Sequence, residues 1–152
     1  MSENGSLKTG VIGVGSMGRH HARVYAQNRA VSLVGVADAD TETASEVADD
    51  YDTTVMDTDE LLAAADAVTV AVPTRYHHEL TEQALDAGVH VLVEKPFVKE
   101  PAEGEALVEQ AAAEDLVLQV GHIERFNPAV QTLQDVLVDH DVIAIEAQRL
   151  GP

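Results

Sequence analysis

Gly13, Gly15 and Gly18 stand at G-x-G-x-x-G spacing in the stretch GVIGVGSMGRHHARV, residues 10–24. In that pattern Gly13 permits a tight strand-to-helix turn, Gly15 lets a pyrophosphate approach the backbone, and Gly18 lets the helix pack closely on the strand. Ser16 and Met17 would then supply free amides at the helix start, facing the phosphates. The next apolar run, VSLVGVAD, ends at Asp38, twenty residues after Gly18, where a carboxylate can accept hydrogen bonds from ribose hydroxyls. No arginine follows Asp38 to receive a 2'-phosphate, so NAD is expected over NADP. Asp40, nearby, reads as a solvated loop charge. Two other readings stand beside this one: a turn that binds nothing, and an S-adenosylmethionine fold, which also has a glycine-rich first turn and an acid after its second strand.

Other candidates for chemistry lie further along. Lysine is almost absent, with only Lys8, Lys95 and Lys99 in the chain. An ammonium retained against such a composition invites a specific reason, and Lys95 sits in VEKPF directly after an apolar run. It could stabilise a developing alkoxide and relay a proton; the plainer alternative is a surface pair with Glu94. His77 and His78 are adjacent at a helix start, so their rings diverge, and no third ligand follows at useful spacing; no metal is expected. There is no cysteine, which removes disulfides, thiolate metal sites and cysteine nucleophiles.

These residues need elements to hold them. The apolar periodicity switches between short β-rich runs at 9–13, 31–37, 53–56, 67–72, 89–93 and 117–120 and helical runs at 17–28, 41–50, 59–64, 75–87, 103–113 and 128–140. Alternation of this kind predicts an α/β Rossmann fold, doubly wound, with a mainly parallel six-stranded sheet and helices on both faces. Runs such as AVTVAV are apolar on both sides, as a covered sheet requires. Residues 1–140 read as this one domain. The last stretch, DVIAIEAQRLGP at 141–152, alternates like the first strand of a second, truncated domain.

The charge narrows the partners. With 27 acidic against 9 basic side chains, the formal net charge is -18. Nucleic acid is a poor fit, because a duplex binder needs a basic face. No apolar run approaches the ~20 residues of a membrane span, and the start MSENGSLKTG is polar without a signal-peptide pattern, so a soluble cytoplasmic protein is expected. The surplus carboxylates suit a halophile-like surface, where salt screens their repulsion.

Three segments at the ends of later strands carry a resemblance: AVPTRYHH at 71–78, VEKPF at 93–97 and VGHIERFNPAV at 120–130. Together with GVGSMGRHHA and Asp38, in this order, the chain resembles the glucose-fructose oxidoreductase / inositol dehydrogenase / MocA family of NAD(P)-dependent sugar oxidoreductases. GHIERFNPAV with a following RLGP is most similar to the UDP-N-acetylglucosamine 3-dehydrogenase-like branch. The resemblance implies that Lys95 is catalytic, that Val72, Pro73, His77 and Glu94 lie along the cofactor, and that His122, Arg125 and Asn127 meet substrate. Arg125 equally fits a structural ion pair. It further implies a sugar or nucleotide-sugar substrate, a second domain completing the pocket, and a homo-oligomeric full-length enzyme whose cofactor half alone is inactive. A non-catalytic NAD-binding or sensing module is the alternative.

One expectation follows from charge alone. If the carboxylates form a solvated surface, the melting temperature of the chain rises from dilute buffer to molar KCl. A flat or falling melting curve would give the charge another purpose.

Overall fold

The computed structural model describes residues 6–138, 141–144, 146 and 148. The chain divides into two compact units, Met1–Gly121 and His122–Pro152.

In the first unit, five parallel strands form one sheet: β1 (Leu7–Ile12), β2 (Val31–Ala37), β3 (Ala67–Val70), β4 (His90–Val93) and β5 (Leu118–Val120). Their spatial order is β2-β1-β3-β4-β5. Between them run α1 (Ser16–Gln27), α2 (Thr41–Asp50), α3 (Thr58–Ala64), α4 (His77–Asp86) and α5 (Pro101–Ala113). Successive strand residues point to opposite faces, and Val11 and Ile12 show what covers each. Val11 packs with Ala22 of α1 and with Ala44 and Val47 of α2. Ile12 belongs with Leu61 of α3, Leu85 of α4 and Leu107 of α5. Both faces of the sheet are therefore covered, as the apolar strands demanded.

Local chemistry sets most of the boundaries. Asp57 and Glu60 close a reciprocal capping box at the start of α3. Pro101 opens α5, where its missing N–H costs nothing. Asp40 is exposed as expected, yet it also holds structure together. Its carboxylate accepts from the N–H groups of Glu42 and Thr43 and so caps α2.

The sheet has five strands where six were expected. Residues 53–56 contribute one parallel bridge, Val36 to Val55, flanked by hydrogen bonds of 2.9 Å from Val36 N–H to Thr54 O and 3.0 Å from Met56 N–H to Val36 O. The reason is length at the edge. Asp52 turns out of α2 with φ 51°, and Asp57 is already the cap of α3, so little chain remains to pair. A second difference lies at 75–87, where the expected helix begins as a 3-10 turn, Thr74–Tyr76, before α4.

The second unit holds a 3-10 turn, Ile123–Phe126, and α6 (Pro128–Leu137), capped by the Asn127 side chain, which accepts from Ala129 N–H at 3.0 Å. Asp139 and His140, expected to end this helix, lie outside the described residues. The strand expected over 141–152 does not form at 141–144, and most of its remainder lies outside the described residues.

Two glycines fix the junction of β1 and α1. Gly13 has φ 85°, and a Cβ there would lie 2.7 Å from Ala71 O. A Cβ on Gly18 would run into the carbonyl oxygen of Gly13 itself. That neighbour is backbone at the end of a buried strand and cannot swing aside. Gly18→Ala should therefore cost about 3 kcal/mol, the upper end for overpacking, read as a shift in the urea midpoint; an unchanged midpoint would refute the contact.

Candidate functional site

The carboxyl ends of β1, β2 and β3 frame a cavity of about 590 Å³. Gly13 and Gly15 form its floor beside Asp38, and Ala71, Val72 and Pro73 line the β3 side. A second concavity of similar size lies at the opposite end, against the amino ends of β3 and β4, and is lined by Asp59, Asp66 and Asp86. Open α/β sheets bind ligands at the carboxyl edge, at the switch point where strand order reverses. In this sheet the reversal falls between β1 and β3.

The glycine turn is held from below. Gly13 N–H donates to Ala37 O at 2.7 Å, and the next amide, of Val14, donates to Asp38 Oδ2 at 2.7 Å. The other oxygen of Asp38 accepts from Asp40 N–H at 2.9 Å. The carboxylate is thus fixed by two amides, while each oxygen retains acceptor capacity. Gly15 is the N-cap of α1 and brings no side-chain cap to it. The first amides of the helix, those of Ser16, Met17 and Gly18, have no intrahelical acceptor by geometry. A Cβ added at Gly15 would meet nothing within 4 Å. This is open space above free amides at the positive end of a helix, which suits a pyrophosphate. A dinucleotide fits what these residues offer.

The Asp40 carboxyl is held below its usual value, first by the Thr43 hydroxyl and then by the Thr43 and Glu42 amides. With its folded value depressed, the contribution of this cap is present at neutral pH and is lost as pH falls through the lowered value.

Beyond β3, the VEKPF segment leaves β4. Glu94 N–H donates to Val70 O at 2.9 Å, and the Lys95–Pro96 peptide is cis. Lys95 is exposed, and among the described residues its ammonium makes no ion pair. The Glu94 carboxylate turns inward instead. It is 8% exposed, and it bonds His21 and the Lys95 main-chain amide rather than the Lys95 side chain.

His77 is buried behind the cavity wall. Its Nε2 lies 2.8 Å from Val72 O and its Nδ1 2.8 Å from Pro96 O, so the ring ties the β3 turn to the turn that carries Lys95. Val72 and Pro73 line the cavity, whereas His77 reaches it only through Val72. Ser16 and Met17 are exposed at the helix start. Among the described residues, no group of three or more His, Asp or Glu could hold a metal ion.

His122, Arg125 and Asn127 belong to the second unit, where all three are exposed. Arg125 N–H closes the 3-10 turn onto His122 O at 3.1 Å. The amide of Asn127 is spent locally: its oxygen caps α6 and its nitrogen donates to Glu124 at 2.9 Å.

His21 takes part in this site although its place in the motif marks it only as a residue of the first helix. A signal existed. His21 stands three residues after Gly18, and i, i+3 spacing puts both on one face of α1, the face that packs on the sheet.

The chain is similar to known proteins over most of its length. Residues 7–122 match the sequence model of an oxidoreductase family with an NAD-binding Rossmann fold. The UDP-N-acetylglucosamine 3-dehydrogenase of Acidithiobacillus ferrooxidans is 44% identical over 96% of this chain and 46% of its own length. A solved structure of that enzyme superposes with a TM-score of 0.82 over 87% of this chain and 43% of that one. Inositol 2-dehydrogenase 4 of Saccharopolyspora erythraea is 35% identical over 88% of this chain and 41% of its own length. The structure of GenD2 from gentamicin A biosynthesis, in complex with NAD, is 30% identical with a TM-score of 0.85, over 88% of this chain and 39% of that one. The chain thus spans about half the length of the curated relatives it matches. It belongs to the glucose-fructose oxidoreductase / inositol dehydrogenase / MocA family of oxidoreductases, and what it carries is the family's NAD-binding Rossmann domain.

Proposed function

We propose that this chain is the cofactor half of an NAD-dependent dehydrogenase that oxidises a hydroxyl of a sugar or nucleotide sugar. The supporting observation is an arrangement along one edge of the sheet: the start of α1 and Asp38 beside a cavity at β1 and β2, and, on the turn after β4, an exposed lysine that makes no ion pair among the described residues. The 44% identity to a UDP-N-acetylglucosamine 3-dehydrogenase favours a nucleotide sugar.

Each residue then has a role. The amides of Ser16, Met17 and Gly18 take the pyrophosphate at the helix start. Asp38 accepts from the adenosine ribose hydroxyls. Bound NAD supplies the hydride acceptor. The Lys95 ammonium gives a proton to solvent and, as the amine, takes the O–H proton of the sugar while the carbinol C–H hydride leaves, so that the hydrogen bond it then donates stabilises the alkoxide character of the oxygen. His122 and Arg125 are assigned to the substrate side on the family resemblance alone, as is a homo-oligomeric full-length enzyme. No helix among the described residues is long and apolar enough to cross a membrane. We place the enzyme in the cytoplasm, its acidic surface suited to high salt.

NAD is favoured over NADP by charge. The described residues lining the cavity include two carboxylates, Asp38 and Asp57, and no lysine or arginine. A 2'-phosphate would meet Asp38 with nothing to neutralise it. Direct titration should show NADH binding at least about tenfold more tightly than NADPH, a difference of about 1.4 kcal/mol; equal or tighter NADPH binding would reverse the assignment. Because the positioning of a sugar accounts for much of such a barrier, about 7–11 kcal/mol, the 152-residue chain should bind NAD yet produce no NADH from nucleotide sugars. Sustained sugar-dependent NADH production by this chain alone would contradict the division of labour.

The role of Lys95 is tested in the full-length enzyme. Lys95→Ala should lower turnover by about 10²–10⁴, the range for a positioned proton-transfer group, and leave the NADH dissociation constant within about threefold. Unchanged turnover would remove Lys95 from the mechanism. Unchanged NADH binding with no sugar oxidised by the full-length wild type would instead point to a sensing module.

A further inference from the structure

Glu94 poses a question that catalysis by Lys95 does not answer. A carboxylate that is 8% exposed loses most of its hydration, which is costly unless partners replace it. Its partners are specific. Oε1 lies 2.9 Å from His21 Nε2, and Oε2 accepts from the Lys95 main-chain amide at 3.2 Å. Gly121 completes the seat, because a Cβ there would lie 3.1 Å from Oε1, close enough that the carboxylate would have to shift by a few tenths of an ångström.

His21 is itself held from α1. One turn further along, Tyr25 stands 6.5 Å away, ring centroid to ring centroid, and its hydroxyl bonds the buried Thr69 Oγ1 of β3 at 2.6 Å. Two side chains of α1 are thus tied to the sheet side by side, Tyr25 to Thr69 of β3 and His21 to the Glu94 carboxylate, whose other oxygen reaches the main chain of Lys95. The helix whose first turn faces the cavity is the same helix that supplies the imidazole.

We propose that His21 is a positioning residue for the reaction. By fixing the Glu94 carboxylate, it fixes the backbone at Lys95 and so aims the ammonium. The proposal rests on the assignment of Lys95 made above. It differs from a packing role in what it demands of the ring: a polar nitrogen at the position of Nε2, with the catalytic effect transmitted only through Lys95.

The test combines a readout on this chain with one on the full-length enzyme. In the 152-residue chain, hydrogen exchange at the Lys95 amide should quicken about tenfold in His21→Ala, stay within about threefold of wild type in His21→Gln, which keeps a donor, and quicken again in Gly121→Ala. In the full-length enzyme, His21→Ala should lower kcat about tenfold or more with KM for NAD within about twofold, and His21→Gln should recover most of the loss. The double variant His21→Ala/Lys95→Ala should be no slower than Lys95→Ala alone, because residues acting through one group are not additive. An additive loss in the double variant, unchanged amide exchange, or a His21→Gln as impaired as His21→Ala would each overturn the proposal. If Lys95→Ala itself turns over normally, the assignment of Lys95 is what fails, and a positioning role for His21 falls with it; an inactive Lys95→Ala combined with additivity overturns His21 alone.

Discussion

Gly18 lies so close against the carbonyl of Gly13 that no side chain can stand between them, and the geometry of the whole carboxyl edge descends from that contact. It seats α1 directly on the end of β1. The N-cap of the helix, Gly15, consequently lines the cavity. One turn later the same seating brings His21 beneath Glu94, and a further turn brings Tyr25 against Thr69. Were α1 held a methyl's width further out, the amides at its start and the contact of His21 with Glu94 would both be displaced.

The electrostatics of the site run against the composition. A chain of net charge -18 would be expected to repel a dinucleotide with its two phosphates, and two carboxylates line the cavity. What offsets this is local: unsatisfied amides concentrated at one helix terminus, effective over the first turn only. Salt favours the same outcome, since screening weakens the repulsion among distant surface carboxylates much more than a short-range bond to amides. Lysine is used sparingly in this setting. Lys95 stands on a turn anchored by sheet hydrogen bonds, with its neighbour Glu94 turned inward to His21 and away from its ammonium.

Two histidines brace that turn from different sides. His21 reaches it through the Glu94 carboxylate, and His77 through the carbonyls of Pro96 and Phe97. The other ring nitrogen of His77 lies 2.8 Å from Val72 O, so the wall of the cavity and the turn bearing Lys95 meet at one imidazole. A lysine on a free loop could sample many positions; here the backbone beneath it is restrained on both sides.

How much of this was legible in the sequence depended on the range of the interaction. β2 at Val31–Ala37 and α2 at Thr41–Asp50 have the boundaries their residues announced, because apolar runs and caps are local signals. The glycine spacing, Asp38 and the VEKPF turn were legible as residue types in local patterns, although their hydrogen bonds are made across the sheet: Gly13 N–H to Ala37 O, Val14 N–H to Asp38 and Glu94 N–H to Val70 O. The strand expected at 53–56 shrank to one bridge because the turn before it and the cap after it compete for the same few residues. The partner of Glu94 stands 73 residues away, and His77 lies 19 from Pro96. Nothing in the local pattern encodes those distances. The sequence by itself determined a Rossmann domain with a glycine turn after β1, Asp38 after β2 and Lys95 after β4; only the tertiary structure decided which imidazoles brace the turn bearing Lys95, because that follows from how closely α1 and α4 pack on the sheet.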